Sequence, residues 1–125
     1  MDGFSYDNDT QLVQEIYRRS DESSRLTKSR AARVEFLTNV RYIEKYLTPG
    51  AKILDVGAGT GVYSLYFSRR GYKVSALELA DSNIQAFRES LTAEDAIDLA
   101  QGNALDLSRY PENSFDIVLL FGPLY

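Results

Sequence analysis

The chain has 125 residues and a mass of 14.1 kDa, 44% hydrophobic and 26% charged, which is the composition of one small globular domain. It contains neither cysteine nor histidine, which excludes disulfides, thiolate or imidazole catalysis and Cys- or His-ligated zinc, so no metal site is expected. The net charge of −4 lies wholly in residues 51–125, with 6 basic and 10 acidic side chains; this speaks against nucleic acid as a partner and suits a small cationic ligand better than a polyphosphate.

The start, Met1-Asp2-Gly3-Phe4, has no signal-peptide character. No apolar run approaches the roughly 18 residues of a membrane span, so the expectation is a cytoplasmic protein with no membrane partner. Residues 1–28 are polar, with weak helical spacing in Leu12, Ile16 and Tyr17. From Ser29, Val34, Leu37, Val40, Ile43 and Leu47 recur at intervals of three and four and predict an amphipathic helix that Pro49-Gly50 stops. Lys52–Val56 reads as a short buried strand. Thr60–Arg70 reads as a helix with Val62, Leu65 and Tyr66 on one stripe and Thr60 as its cap. Tyr72–Leu79 is a second strand, and Ser82–Thr92 a helix with Ile84, Phe87 and Leu91 inward. Ala96–Gln101 is a third strand and Phe115–Phe121 a fourth, almost continuously apolar. This alternation predicts an α/β domain on a parallel sheet. Because the fourth strand has an interior composition and the sequence ends four residues later, either the chain is a fragment or a second copy covers that edge as a homodimer.

The most specific stretch is Ile53-Leu54-Asp55-Val56-Gly57-Ala58-Gly59-Thr60-Gly61, a strand running into three alternating glycines and then a helix. Such a turn lets a ligand approach the backbone at the carboxyl end of the strand. A dinucleotide fingerprint would place its third glycine one residue later. Glu78 ends the next strand, where a carboxylate can accept both hydroxyls of a ribose; a solvated strand end is the plainer alternative. Asn103, after the third strand, carries a donor and an acceptor for a purine edge, or else simply forms a turn. Leu79 and Leu105 could sandwich a flat ring, and Asp55 could bond amides of the glycine loop or lie near a positive ligand group.

As a set, Asp55-Val56-Gly57-Ala58-Gly59-Thr60-Gly61, Glu78, Gly102-Asn103-Ala104 and Ser114-Phe115-Asp116-Ile117-Val118 resemble the signature segments of class I S-adenosylmethionine-dependent methyltransferases, over about residues 30–125. The resemblance implies a Rossmann-like three-layer α/β sandwich with a mostly parallel sheet, truncated here after the fourth strand. It divides the chain into a helical cap or lid at 1–48 and a partial cofactor-binding domain at 49–125. It further implies that Asp55, Gly57, Ala58, Gly59, Thr60 and Gly61 lie by the methionyl part of S-adenosylmethionine, and that Glu78 binds the ribose. Leu79, Asn103, Ala104 and Leu105 would border the adenine, and Phe121 the transferring methyl. The family commonly has Asp where this chain has Asn103.

The implied reaction is in-line methyl transfer from the sulfonium to a small-molecule acceptor, releasing S-adenosylhomocysteine. Because the donor is already activated, positioning is the protein's main task and no residue must be the catalyst. Tyr6, Tyr17, Arg33 and Tyr125 are the acceptor-side candidates, whereas Tyr42 and Tyr46, four apart, are read as helix packing. Cofactor capture with weak or absent turnover is expected of these residues alone. An NAD-binding oxidoreductase domain and a non-catalytic cofactor-binding or interaction module are the alternatives.

Overall fold

A computed structural model describes residues 26–121. Its elements are α1 (Leu26–Glu44), β1 (Lys52–Val56), α2 (Val62–Arg69), β2 (Lys73–Glu78), α3 (Asp81–Ser90), β3 (Ile97–Gln101) and β4 (Ile117–Leu119). The strands form one parallel sheet in the order β3-β2-β1-β4. This is the Rossmann-like α/β arrangement expected, and β1 is flanked by strands that the chain reaches in opposite directions, which makes its carboxyl end a topological switch point.

The register explains the core. Ile53 lies opposite Val74 and Ile117, and Asp55 opposite Ala76 and Leu119. Since side chains alternate along a strand, these residues and Glu78 share one face of the sheet. All three helices bury residues in the cluster that includes Ile53, Val74, Ala76 and Leu119. α1 contributes Phe36, Val40 and Ile43, a four-then-three spacing that lines one helical face. Val34, expected on that seam, is instead 62% exposed. It lies two residues before Phe36, about 200° around the helix, so one face cannot bury both. From α2 come Leu65, Tyr66 and Phe67, and from α3 Phe87. Phe36 meets Tyr66 edge to face at 5.5 Å. Each such fully buried ring contributes about 1.5–3 kcal/mol.

One further expectation is revised. The apolar run from Phe115 to Phe121 yields a strand only at Ile117–Leu119, on the sheet edge, with Val118 and Leu120 about half exposed. Asp116 explains the late start: its amide donates to Lys52 O and its carboxylate accepts from Lys52 N, both at 2.8 Å, which closes the ladder at that end. Tyr42 and Tyr46 pack edgewise on each other at 5.5 Å, as expected of residues four apart, with both rings exposed. At the far end of α2, Arg69 grips Asp95 through Nε at 3.1 Å and Nη2 at 3.0 Å, tying the helix to the turn before β3. Burial works to raise the Asp95 carboxyl; the Arg69 and Thr92 donors outweigh it and hold the group below its ordinary range.

Candidate functional site

At the end of β1 the backbone turns sharply, with the amides of Gly57 and Ala58 both donating to Leu77 O at 2.8 and 3.0 Å. Gly57, Gly59 and Gly61 all have positive φ. The Gly61 amide then donates to Ala58 O, and Gly61 O accepts from Leu65 N as the first turn of α2 forms. Gly61 occupies the cap position, and no side chain caps the helix. Thr60 is therefore not the cap expected, because it lies one residue too early. A Cβ on Gly59 would meet nothing within 4 Å, so the space over the middle of the loop is open.

Beneath that loop are two buried carboxylates, Asp55 and Glu78, 2% and 8% exposed. Asp55 Oδ2 accepts from the Ser64 hydroxyl at 2.8 Å, on the first turn of α2. The glycine loop is instead held by Glu78, whose Oε1 accepts from the Gly59 amide at 2.7 Å. Glu78 Oε2 accepts from the Ala80 amide at 3.0 Å and from Asn83 Nδ2 at 3.1 Å. The support that the sequence suggested for Asp55 thus falls to Glu78. Burial, the largest influence, pushes the Asp55 carboxyl up to about 7; the Ser64 hydroxyl opposes this, the Glu78 charge adds to it, and the Ser64 backbone opposes it again.

The rim continues along β2 and β3. Gly102 N donates to Glu78 O at 3.0 Å, which brings the segment after β3 beside Glu78. Asn103 Oδ1 accepts from Leu105 N at 2.8 Å, so its carbonyl closes a local turn and its amide remains the group with which it could read a ring. Leu79 and Leu105 are 59% and 94% exposed, and Ala104 is partly buried. A cleft of about 270 Å³ opens between Leu77, Gln101, Gly102, Asn103, Asp106, Ser108 and Arg109. A larger one of about 770 Å³ is bordered by Lys52, Lys73, Asp98 and Phe115 and includes no residue of the glycine loop. After β4, Phe121 stacks on Tyr63 at 4.7 Å, while the Tyr63 hydroxyl accepts from Asn39 Nδ2 at 2.8 Å.

The structure brings together Asp55, the Gly57–Gly61 loop, Glu78 and the Gly102–Asn103 turn. Arg33 is half-buried on α1. Tyr6, Tyr17 and Tyr125 lie outside the described residues. Ser64 and Asn83 were not legible as site residues; Asn83, an amide five residues after a strand-ending acid and in the first turn of the next helix, offered the only spacing cue. Among the described residues no helix is long and apolar enough to cross a membrane.

A family model described as a methyltransferase domain matches residues 54–124. The ubiquinone biosynthesis O-methyltransferase of Xanthomonas campestris is 37% identical over 71 residues, covering 56% of this chain and 30% of its own length. The ribosomal protein L11 methyltransferase of an Exiguobacterium species is 30% identical over 81 residues, covering 64% and 26%. Among solved structures, a SAM-dependent methyltransferase of Methanosarcina mazei superposes with a TM-score of 0.54 at 26% identity, over 63% of this chain and 40% of that one. A Pyrococcus horikoshii protein at 23% identity shares the fold over 93% of this chain and 50% of its own, with a TM-score of 0.65. The chain spans 15% to 30% of the length of the first curated relatives.

Proposed function

The chain belongs to the class I S-adenosylmethionine-dependent methyltransferase family, and on that premise we propose that these residues hold S-adenosylmethionine for methyl transfer to a small-molecule acceptor. One observation carries the reading: Glu78 reaches the Gly59 amide at 2.7 Å, so the ribose-binding acid and the glycine loop form one unit at the switch point of the sheet. The open space over Gly59 fits a ligand laid against the backbone there.

In this arrangement Gly57, Ala58, Gly59, Thr60 and Gly61 take the methionyl end, above Asp55. Glu78 takes the ribose. Leu79, Asn103, Ala104 and Leu105 border the adenine; the exposure of both leucines leaves them available to a ring. Phe121, stacked on Tyr63, lies toward the methyl group, with Arg33, Tyr6, Tyr17 and Tyr125 on the acceptor side. When bound, the cofactor supplies an electrophilic methyl on a sulfonium centre. The protein's part is to orient it, since alignment of donor and acceptor can account for about 7–11 kcal/mol of a barrier.

The acidic surplus of residues 51–125 favours a small acceptor over a polyanion. Residues 1–48 would act as the cap and 49–125 as the cofactor-holding part, in a cytoplasmic setting. Because the chain spans so little of its relatives' length, cofactor capture with weak or absent turnover is what we assign to it alone. The half-exposed edge of β4 would pair two copies, and light scattering at high concentration should then report a dimer; a strict monomer removes that proposal.

Calorimetric titration tests the central reading. S-adenosylmethionine should bind saturably while NAD in a parallel cell gives no heat of binding, and the reverse pattern would overturn it. Glu78→Ala should weaken the cofactor roughly 10- to 150-fold, the worth of about 1.5–3 kcal/mol of charge-assisted hydrogen bonding. An unchanged affinity would remove Glu78 from the ribose site.

A further inference from the structure

The acceptor capacity of Glu78 is nearly filled before any ligand arrives. A carboxylate offers about four acceptor positions, two on each oxygen. The Gly59 amide occupies one on Oε1, and the Ala80 amide and Asn83 Nδ2 occupy both on Oε2. One position on Oε1 is left, yet a ribose presents two hydroxyls. The missing acceptor is on the group already at Oε2: the carboxamide that donates through Nδ2 carries Oδ1 beside it. Asn83 Oδ1 accepts no hydrogen bond from any described residue. The residue is half-buried in the first turn of α3, and its amide is anchored on Glu78.

We propose that Asn83 is a specificity-determining residue of the cofactor site: its amide fixes Glu78 Oε2, and its Oδ1 accepts one ribose hydroxyl while Glu78 Oε1 accepts the other. The proposal rests on the reading that Glu78 faces the ribose, and it adds a second acceptor on a different element. A structural role alone would require only the Nδ2 bond. The composite reader makes a separate demand, because each hydroxyl is recognised by a different side chain and the two recognitions can be removed one at a time.

The experiment is calorimetric titration of the full chain and its variants with S-adenosylhomocysteine and its 2′-deoxy and 3′-deoxy analogues, with circular dichroism confirming that each variant is folded. The unsubstituted protein should bind both deoxy analogues about tenfold or more weakly than the parent. Asn83→Leu removes donor and acceptor together. It should weaken the parent by about tenfold or more and abolish the penalty for one analogue while retaining it for the other. Asn83→Asp keeps an acceptor but loses the donor and sets a second carboxylate against Glu78. Its binding to S-adenosylhomocysteine should fall by about tenfold or more, because Oε2 of Glu78 then faces a second acceptor in place of its donor.

If Asn83→Leu retains both analogue penalties, or Asn83→Asp binds as tightly as the unsubstituted protein, the Asn83 assignment is wrong and the Glu78 reading stands. If the unsubstituted, folded protein does not bind S-adenosylhomocysteine at all, the cofactor reading itself fails and takes this one with it.

Discussion

Gly61→Ala is expected to lose about 2–5 kcal/mol of folding stability, because two independent penalties meet at one atom. The residue has φ +93°, where a side chain costs about 1–2 kcal/mol. Its Cβ would also stand 2.6 Å from Phe87 Cε2, well inside contact distance. Phe87 has little room to give way, since its ring is fully buried in the core cluster, and overpacking of that kind costs about 1–3 kcal/mol. Gly59→Ala is the control. It too has positive φ, but its Cβ would meet nothing within 4 Å, so only the conformational penalty applies. Urea unfolding without ligand should therefore rank Gly61→Ala clearly below Gly59→Ala. Trimming the neighbour, as Gly61→Ala with Phe87→Leu, should recover part of the loss relative to the sum of the single changes. Equal destabilisation by the two alanines would mean that Gly61 serves only its backbone angle, and that the close seating of α3 beneath the loop is not what demands glycine there.

The same contact shows why this loop could be read from the sequence while its supports could not. Alternating glycines between a strand and a helix leave a strong mark, because the turn needs them at fixed positions. The parallel direction of the strands followed from the alternation of short apolar runs with helical stripes. Side-chain partnerships leave no such mark. Asp55 and Ser64 are nine residues apart on different elements, and only the packing of α2 over β1 brings the hydroxyl to 2.8 Å from the carboxylate. The spacing placed Val34 on the buried face of α1 and passed over Phe36, whose ring is held there by the aromatic neighbours Tyr63 and Tyr66 across the helix interface. The fourth strand was overread for a related reason. Continuous apolar composition marks a buried segment and does not fix pairing length: only Ile117–Leu119 pair, against Ile53, Leu54 and Asp55 of β1.

Asp55→Asn should abolish the pH dependence of stability that the buried carboxylate imposes. Burial holds the folded-state carboxyl at about 7 against an ordinary value of 3.8. The folded protein therefore keeps a proton that the unfolded chain has already released throughout that interval. The favourable contribution of the protonated group is complete below about pH 3.8 and is lost as pH rises to about 7, above which the curve flattens. A shift of that size corresponds to stability on the order of 4 kcal/mol. Asparagine copies the shape of the protonated acid without the option of charging. The variant and the parent should then be close in stability near pH 4, and the variant should be the more stable of the two at pH 8, where the parent must hold a charge that is only 2% exposed. Two further changes identify the source of the shift. Ser64→Ala removes the donor that favours the anion and should move the parent's titration upward; Glu78→Gln removes the adjacent negative charge and should move it down. Denaturant midpoints measured from pH 4 to pH 8 decide the matter. A difference between parent and Asp55→Asn that does not change with pH would mean that the carboxylate is ionised throughout, stabilised by a partner other than Ser64. If the difference grows toward pH 8 as expected, the site keeps Asp55 neutral below about pH 7.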